Sequence, residues 1–358
     1  MTKKFLTIVS AVMLTCLFIP SQSLAADQKI PIGNLKPATH LEKPVLEQTG
    51  GKLILSDSPE TYQQEGAFYR DTAKGEFRVF WHHQNRSGET RKVAVAVTNT
   101  LDQGVKLYSE GQGASVSIYP DVAGQKALVS FLEDRFEKHY LTTLAPGESY
   151  FLIRTADDLD TVSGIAQFAA YTKHGHQPTS VTVTTLNYTD RPSHPEKMRI
   201  LEGDSHTRGS FPHFNRTGVI TYDPAMGNAY IRISSAESGK WSDKLPGEYE
   251  MGVDVVDGNK PVVNNGNYGV LYNFTVQIEN SLHSPREVTV YENPSGGFGH
   301  YVMEWQGHIK KSGFLSYKYA WPFQELNVGA DGNDYRFVTS LPGGASGPSV
   351  IYFTNTAH

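Results

Sequence analysis

Cysteine is nearly missing: the 358 residues hold one, Cys16, so no disulfide can close within the chain. A protein of this size without disulfides is held together by core burial. Charge is sparse as well. Only 19% of residues are Asp, Glu, Lys or Arg, 32 basic against 37 acidic for a net charge of −5, and they are scattered singly. That distribution lacks the continuous basic track a phosphate backbone requires, which excludes nucleic acid as a partner. With 11% aromatic residues, the composition is not that of a disordered acidic or basic tail either. Beyond residue 25, no apolar run approaches the roughly 20 residues of a membrane-spanning helix. No internal repeat relates the two halves, apart from a shared Pro-Gly-Glu turn at Pro146 and Pro246.

The N-terminus is different. Residues 1–25 combine Lys3 and Lys4, an apolar run from Phe5 to Ile19, and a small-residue site at Ser23-Leu24-Ala25, the three parts of a cleaved secretory signal. Cys16 lies inside this run, preceded by Met13-Leu14-Thr15, without the small residue a lipoprotein signal places before its Cys. The expectation is cleavage after Ala25 and a secreted, extracellular or cell-wall associated protein with no membrane contact afterwards. Its avoidance of cysteine points to a Gram-positive bacterium.

Residues 26–51 are polar and punctuated by Pro31, Pro37 and Pro44, which reads as an extended leader that can add an edge strand. From Lys52 on, short alternating or β-branched runs recur between turn signals, so the fold class is all-β. In the first unit, 52–190, Phe77, Val79 and Trp81 share one strand face. After the Asn85-Arg86-Ser87-Gly88 turn, Val93, Val95 and Val97 share another. These six are expected in the core of an immunoglobulin-like sandwich. One helix interrupts it, with Asp121 as its expected cap and Val122, Val129, Leu132 and Phe136 at helical spacing. In both Pro-Gly-Glu turns Pro presets φ and Gly supplies the positive φ of a type II turn. Pro192 and Pro195 mark a join, and about eight strands follow in 200–358, the number of a jelly-roll-like sandwich.

Candidate chemistry comes in two kinds. Gly203-Asp204-Ser205-His206-Thr207-Arg208, followed by His213, places carboxylate and imidazole ligands at short spacing, so Asp204, His206 and His213 are the candidate metal ligands. The competing reading is a polar interdomain loop whose side chains bond nearby backbone, and no cofactor is expected. The same block resembles the nucleophile segment of the Gly-Asp-Ser lipases, whose α/β fold and late Asp-x-x-His this chain does not match. His82-His83 sits in a strand, so the rings face opposite sides, one expected packed and one solvated. The second kind is aromatic. Trp241 lies in a polar stretch, and Trp321, Tyr317 and Tyr319 belong to a tyrosine-dense second half; flat rings with Asn, Asp and Arg around them can stack on sugars and bond their hydroxyls.

Five segments carry a resemblance: Lys52–Glu60, Phe77–Asn85, Gly203–Gly209, Trp241–Tyr249 and Gly343–Pro348. Together they resemble a group of secreted proteins of Bacillus and Paenibacillus type, over nearly all of the mature chain. Some of that group are labelled copper amine oxidase domain proteins for an extra stalk-like module that this chain lacks, so the resemblance implies secretion and architecture without copper chemistry. The expected function is binding of a cell-wall or environmental polysaccharide by the second sandwich, through Trp241, Trp321, Tyr317 and Tyr319. Two alternatives stand beside it: a metal-assisted hydrolase using Asp204, His206 and His213, and a structural protein of the cell or spore envelope.

Overall fold

A computed structural model describes residues 28–356; the expected signal segment lies outside them. The fold is all-β, two sandwiches with, among the described residues, one α-helix between them. The first sandwich stacks a four-stranded sheet on a nine-stranded one. Its core contains Phe77, Val79, Trp81, Val93, Val95 and Val97, the six residues that alternation assigns there. The second sandwich faces two six-stranded sheets across a core that includes Tyr272, Phe274, Trp305, Trp321, Phe323 and Phe337.

The two sandwiches share strands. Arg208–Phe211, Met251–Asp254 and Lys260–Val263 follow the join in sequence, yet extend the nine-stranded sheet beyond Lys52–Ser56. The leader runs the other way. Ile30–Pro31 pairs with Tyr319–Val328, Thr39–His40 with Ala229–Ile233, and Glu47–Thr49 with Asn215–Tyr222, so it edges both sheets of the second sandwich.

The helix α1, Pro120–Asp134, lies between the sandwiches. Its Leu128, Phe131 and Leu132 pack with Leu53, Leu55, Phe80 and Ile165 on one side and with Val302 and Val338 on the other. Asp121 is not its cap. Pro120 opens the helix after Tyr119, and Asp121 turns its carboxylate to His300, 2.9 Å away. Phe136 lies past the last turn and is exposed.

Polar ties lock this seam. Arg78, fully buried, donates to the carbonyls of Phe214 (2.6 Å) and Gly269 (3.1 Å) and to Gln167 and Asn215; burial lowers its pKa to about 9. Gln125 of the helix donates to the carbonyls of Tyr301 and Ser312, and Arg135 pairs with Glu304, which is wholly buried. The two Pro-Gly-Glu turns form alike. Gly147 and Gly247 take φ of 80° and 76°, and Glu148 and Glu248 each brace their turn by accepting from the amide three residues back.

Candidate functional site

Three of the four aromatic candidates are exposed on the second sandwich. Trp241 and Tyr317 are each 52% exposed and Tyr319 37%. Sequence reading missed two more, Phe298 (53%) and Phe314 (50%), whose rings lie 5.8 Å apart at the small ribbon that joins Phe298–Gly299 to Leu315–Ser316. The loop 295–297 joins the rings into one edge. Tyr317 donates its amide to the Gly297 carbonyl, and the Trp241 ring lies so close to Gly296 that a Cβ there would meet it at 3.1 Å. Below the loop, Asn293 donates to the carbonyls of both Tyr317 (3.1 Å) and Tyr319 (2.7 Å).

Two clefts flank this loop. One, of about 720 Å³, is lined by Tyr317, Tyr230 and Tyr352 with Arg232, Asn293 and Lys36. The other, of about 370 Å³, is lined by Trp241 and Tyr268 with Asn265, Ser235 and Ser346. Apolar walls with a few polar groups are the usual make-up of a ligand site. Trp321 does not join them. It is 2% exposed, packed 5.8 Å from Phe323 in the core, because the strand Tyr319–Val328 runs inward from the rim.

Asp204, His206 and His213 are not brought together. His213 lies beyond the far end of Arg208–Phe211, where its Nδ1 is 2.7 Å from Glu250, a carboxylate that also takes Arg216. Among the described residues no group of three or more His, Cys, Asp or Glu is placed to hold a metal ion. Asp204 and His206 meet a different partner. His206 stands between two carboxylates, Nδ1 3.2 Å from Asp204 and Nε2 3.1 Å from Glu60. Asp204 also accepts the amides of Glu60 and His206, both at 2.8 Å. Partial burial raises the Asp204 pKa, but these amide donors and the His206 ring outweigh it and hold the carboxyl below its ordinary value.

Beside these three residues is Asp57, which the sequence did not single out. It sits at the end of Lys52–Ser56, partly exposed, and its carboxyl has no hydrogen-bond partner among the described residues. Enclosure by neighbouring atoms, with the charges of Glu60 and Asp204, pushes it well above the usual carboxylate range. His82 and His83 lie nearby, and both are buried, at 2% and 0% exposure. The outer face of their strand, expected to meet water, is covered by the second sandwich. His83 bonds Ser56 and the Pro59 carbonyl. His82 has neither ring nitrogen partnered, and burial followed by the nearness of His206 lowers its pKa to about 4.

Tyr268 lines the Trp241 cleft and donates its hydroxyl to the Ala345 carbonyl.

No protein-family model and no curated protein sequence matches the chain. Among solved structures, a Paenibacillus xanthan lyase aligns at a TM-score of 0.20 and 8% identity, over 90% of this chain and 27% of the lyase. The tandem CBM22 domains of Paenibacillus barcinonensis Xyn10C align at 0.16 and 8%, over 90% and 99% of the two chains. Likeness this slight leaves the function to be argued from the residues.

Proposed function

We propose that the chain is a secreted binding protein that recognises a cell-wall or environmental polysaccharide at the aromatic edge of its second sandwich. The observation that carries this reading is the exposure of Trp241, Phe298, Phe314, Tyr317 and Tyr319 on one sandwich, with Tyr317 lining one cleft and Trp241 another, each with polar groups in its wall. Large rings left in water are uninformative singly and informative when they cluster. Sugar rings offer flat C–H faces for stacking and rims of hydroxyls for Asn, Ser and Arg, and this edge supplies both kinds of group.

The polar partners are fixed before a ligand arrives. Asn293 is spent on the backbone of Tyr317 and Tyr319, so it fixes the main chain that carries the two rings, and a preset main chain reduces the ordering cost of binding. Co-sedimentation with cellulose, chitin, xylan and peptidoglycan tests the reading. Saturable binding to one member, lost in Trp241→Ala with unchanged thermal unfolding, is the expected result. Equal retention of Trp241→Ala and the wild type, or no binding to any member, defeats it.

A further inference from the structure

We propose that the cleft of about 720 Å³ beside Tyr317 selects acidic sugars, taking a uronate, a sugar ring that bears a carboxylate, from the polysaccharide bound at the aromatic edge. This inference rests on the binding reading above and narrows its ligand class.

The cleft is built by the leader against the outer face of one sheet. Its floor is the sheet that contains Ala229–Ile233, Arg286–Pro294 and Ser349–Thr354, where Tyr230 pairs with Tyr352, their rings 5.6 Å apart. Two residues along, Arg232 pairs with Val350 and Val350 with Asn293. Leader residues from Ile32 to Ala38 make one wall, and Tyr317 with Lys318 makes the other. Leu35, wholly buried beside Tyr291, Val350 and Tyr352, pins the leader to the floor. The Ile32 amide donates to the Lys318 carbonyl at 2.9 Å and ties the two walls together. The shape therefore exists before a ligand arrives.

The charge of this lining is one-sided. Lys36, Arg232 and Lys318 line the cleft and no carboxylate does, although the chain as a whole holds 37 acidic residues against 32 basic. The nearest compensation is incomplete. Asp243 pairs with Arg232, but the same carboxylate also takes Lys43 and His40. Arg232 reaches Asp243 through Nη1, and its Nε has no partner. Among the described residues neither Lys36 nor Lys318 has a carboxylate partner, and both are exposed. The Trp241 cleft, by contrast, has no charged residue in its lining, so the positive charge belongs to this cleft and not to the edge in general. A concave site lined by one sign of charge concentrates the opposite sign.

The cations stand beside ring faces. The Lys318 amine lies 5.9 Å from the centre of the Tyr317 ring, and the Arg232 guanidinium 5.5 Å from that of Tyr230. Just outside, the Lys29 amine lies 5.3 Å from the centre of the Tyr319 ring. Such pairing of a flat face with a neighbouring cation suits an anion carried on a ring, the face meeting the sugar while the ammonium or guanidinium meets its carboxylate. A polyol phosphate brings the charge without a ring to stack, and a neutral sugar brings the ring without the charge. A uronate brings both.

The test adds acidic members to the sedimentation panel, each immobilised on beads beside its uncharged form: glucuronoxylan with carboxyl-reduced glucuronoxylan, and polygalacturonate with its methyl ester. Poly(glycerol phosphate) is a further arm. The expected result is binding of at least one acid form, about tenfold or more tighter than its uncharged form, and weakened by salt as exposed charge pairs are. Lys36→Gln with Lys318→Gln is expected to lose about tenfold on the acid form, with thermal unfolding and binding of the uncharged form unchanged. Equal binding of the acid and uncharged forms overturns this inference and leaves the earlier reading standing, as does a double variant that binds the acid form like the wild type. Tighter binding of poly(glycerol phosphate) than of either acid polymer overturns the choice of a sugar carboxylate. If Trp241→Ala keeps the uronate while the double variant loses it, this cleft stands and the part given to Trp241 falls. Binding to no polymer of the enlarged panel sinks both.

Discussion

Glu292 gives the sharpest test of the second sandwich. It is wholly buried, paired across the sheet with Trp321 on one side and Ile351 on the other. One carboxyl oxygen accepts from Ser349 at 2.7 Å and the other has no partner. Burial pushes its pKa from 4.5 to about 8, and the Ser349 hydroxyl opposes this only weakly. A carboxyl raised in this way favours the folded state fully below its ordinary value, and that contribution is lost as pH rises through about 8. Each tenfold change in proton affinity between the folded and unfolded chain is worth about 1.4 kcal/mol, so the whole loss is about 5 kcal/mol, an upper bound because local hydration relieves part of it. Glu292→Gln keeps an acceptor for Ser349 and cannot ionise. Urea unfolding of both proteins at pH 5 and pH 9 reads the difference, with equal m values showing that the unfolded states match. The wild type is expected to lose several kcal/mol more than the variant between the two pH values. Parallel losses refute the reasoning. Because Asn293, next in sequence, sets Tyr317 and Tyr319, binding at the edge is expected to weaken over the same pH range in the wild type alone.

Trp321→Ala is expected to cost about 3–5 kcal/mol by emptying a core position, whereas Trp241→Ala stays within about 0.5 kcal/mol; thermal unfolding separates the two. Arg135→Ala leaves Glu304 buried with only Arg336 near it, at 3.9 Å, and is expected to cost about 3–5 kcal/mol, while Arg135→Met with Glu304→Gln recovers most of this.

Alternation along Glu76–Asn85 and Arg91–Thr98 made the first core legible, since a half-buried strand repeats every two residues. The same rule failed for His82. Its strand has no water-facing side, because the second sandwich covers the one left open by the first. Tyr319 and Trp321 share a face by the same period, yet one is exposed and the other buried. What separates them is how far each lies from the rim, which period does not encode. Asp57 and Glu60 sit in Ser-Asp-Ser-Pro-Glu, a string that reads as an ordinary turn; only tertiary folding sets it against Asp204. The leader strands were short, polar and broken by proline, so nothing local named their partners. Asp204 and His206 were legible as a pair, but assigning His213 to them overlooked the strand in between, which carries it out of reach.

The leader's pairing has a consequence for how the protein is made. Ile30 must find Ala320, and Glu47 must find Thr217, so the first part of the described chain to be synthesised completes its pairing only after most of the rest exists. Contacts this distant in sequence are slow to form and leave strand edges open meanwhile. Until then the second sandwich has bare rims on both sheets, and closing them is the event that ends its susceptibility to mispairing with other chains.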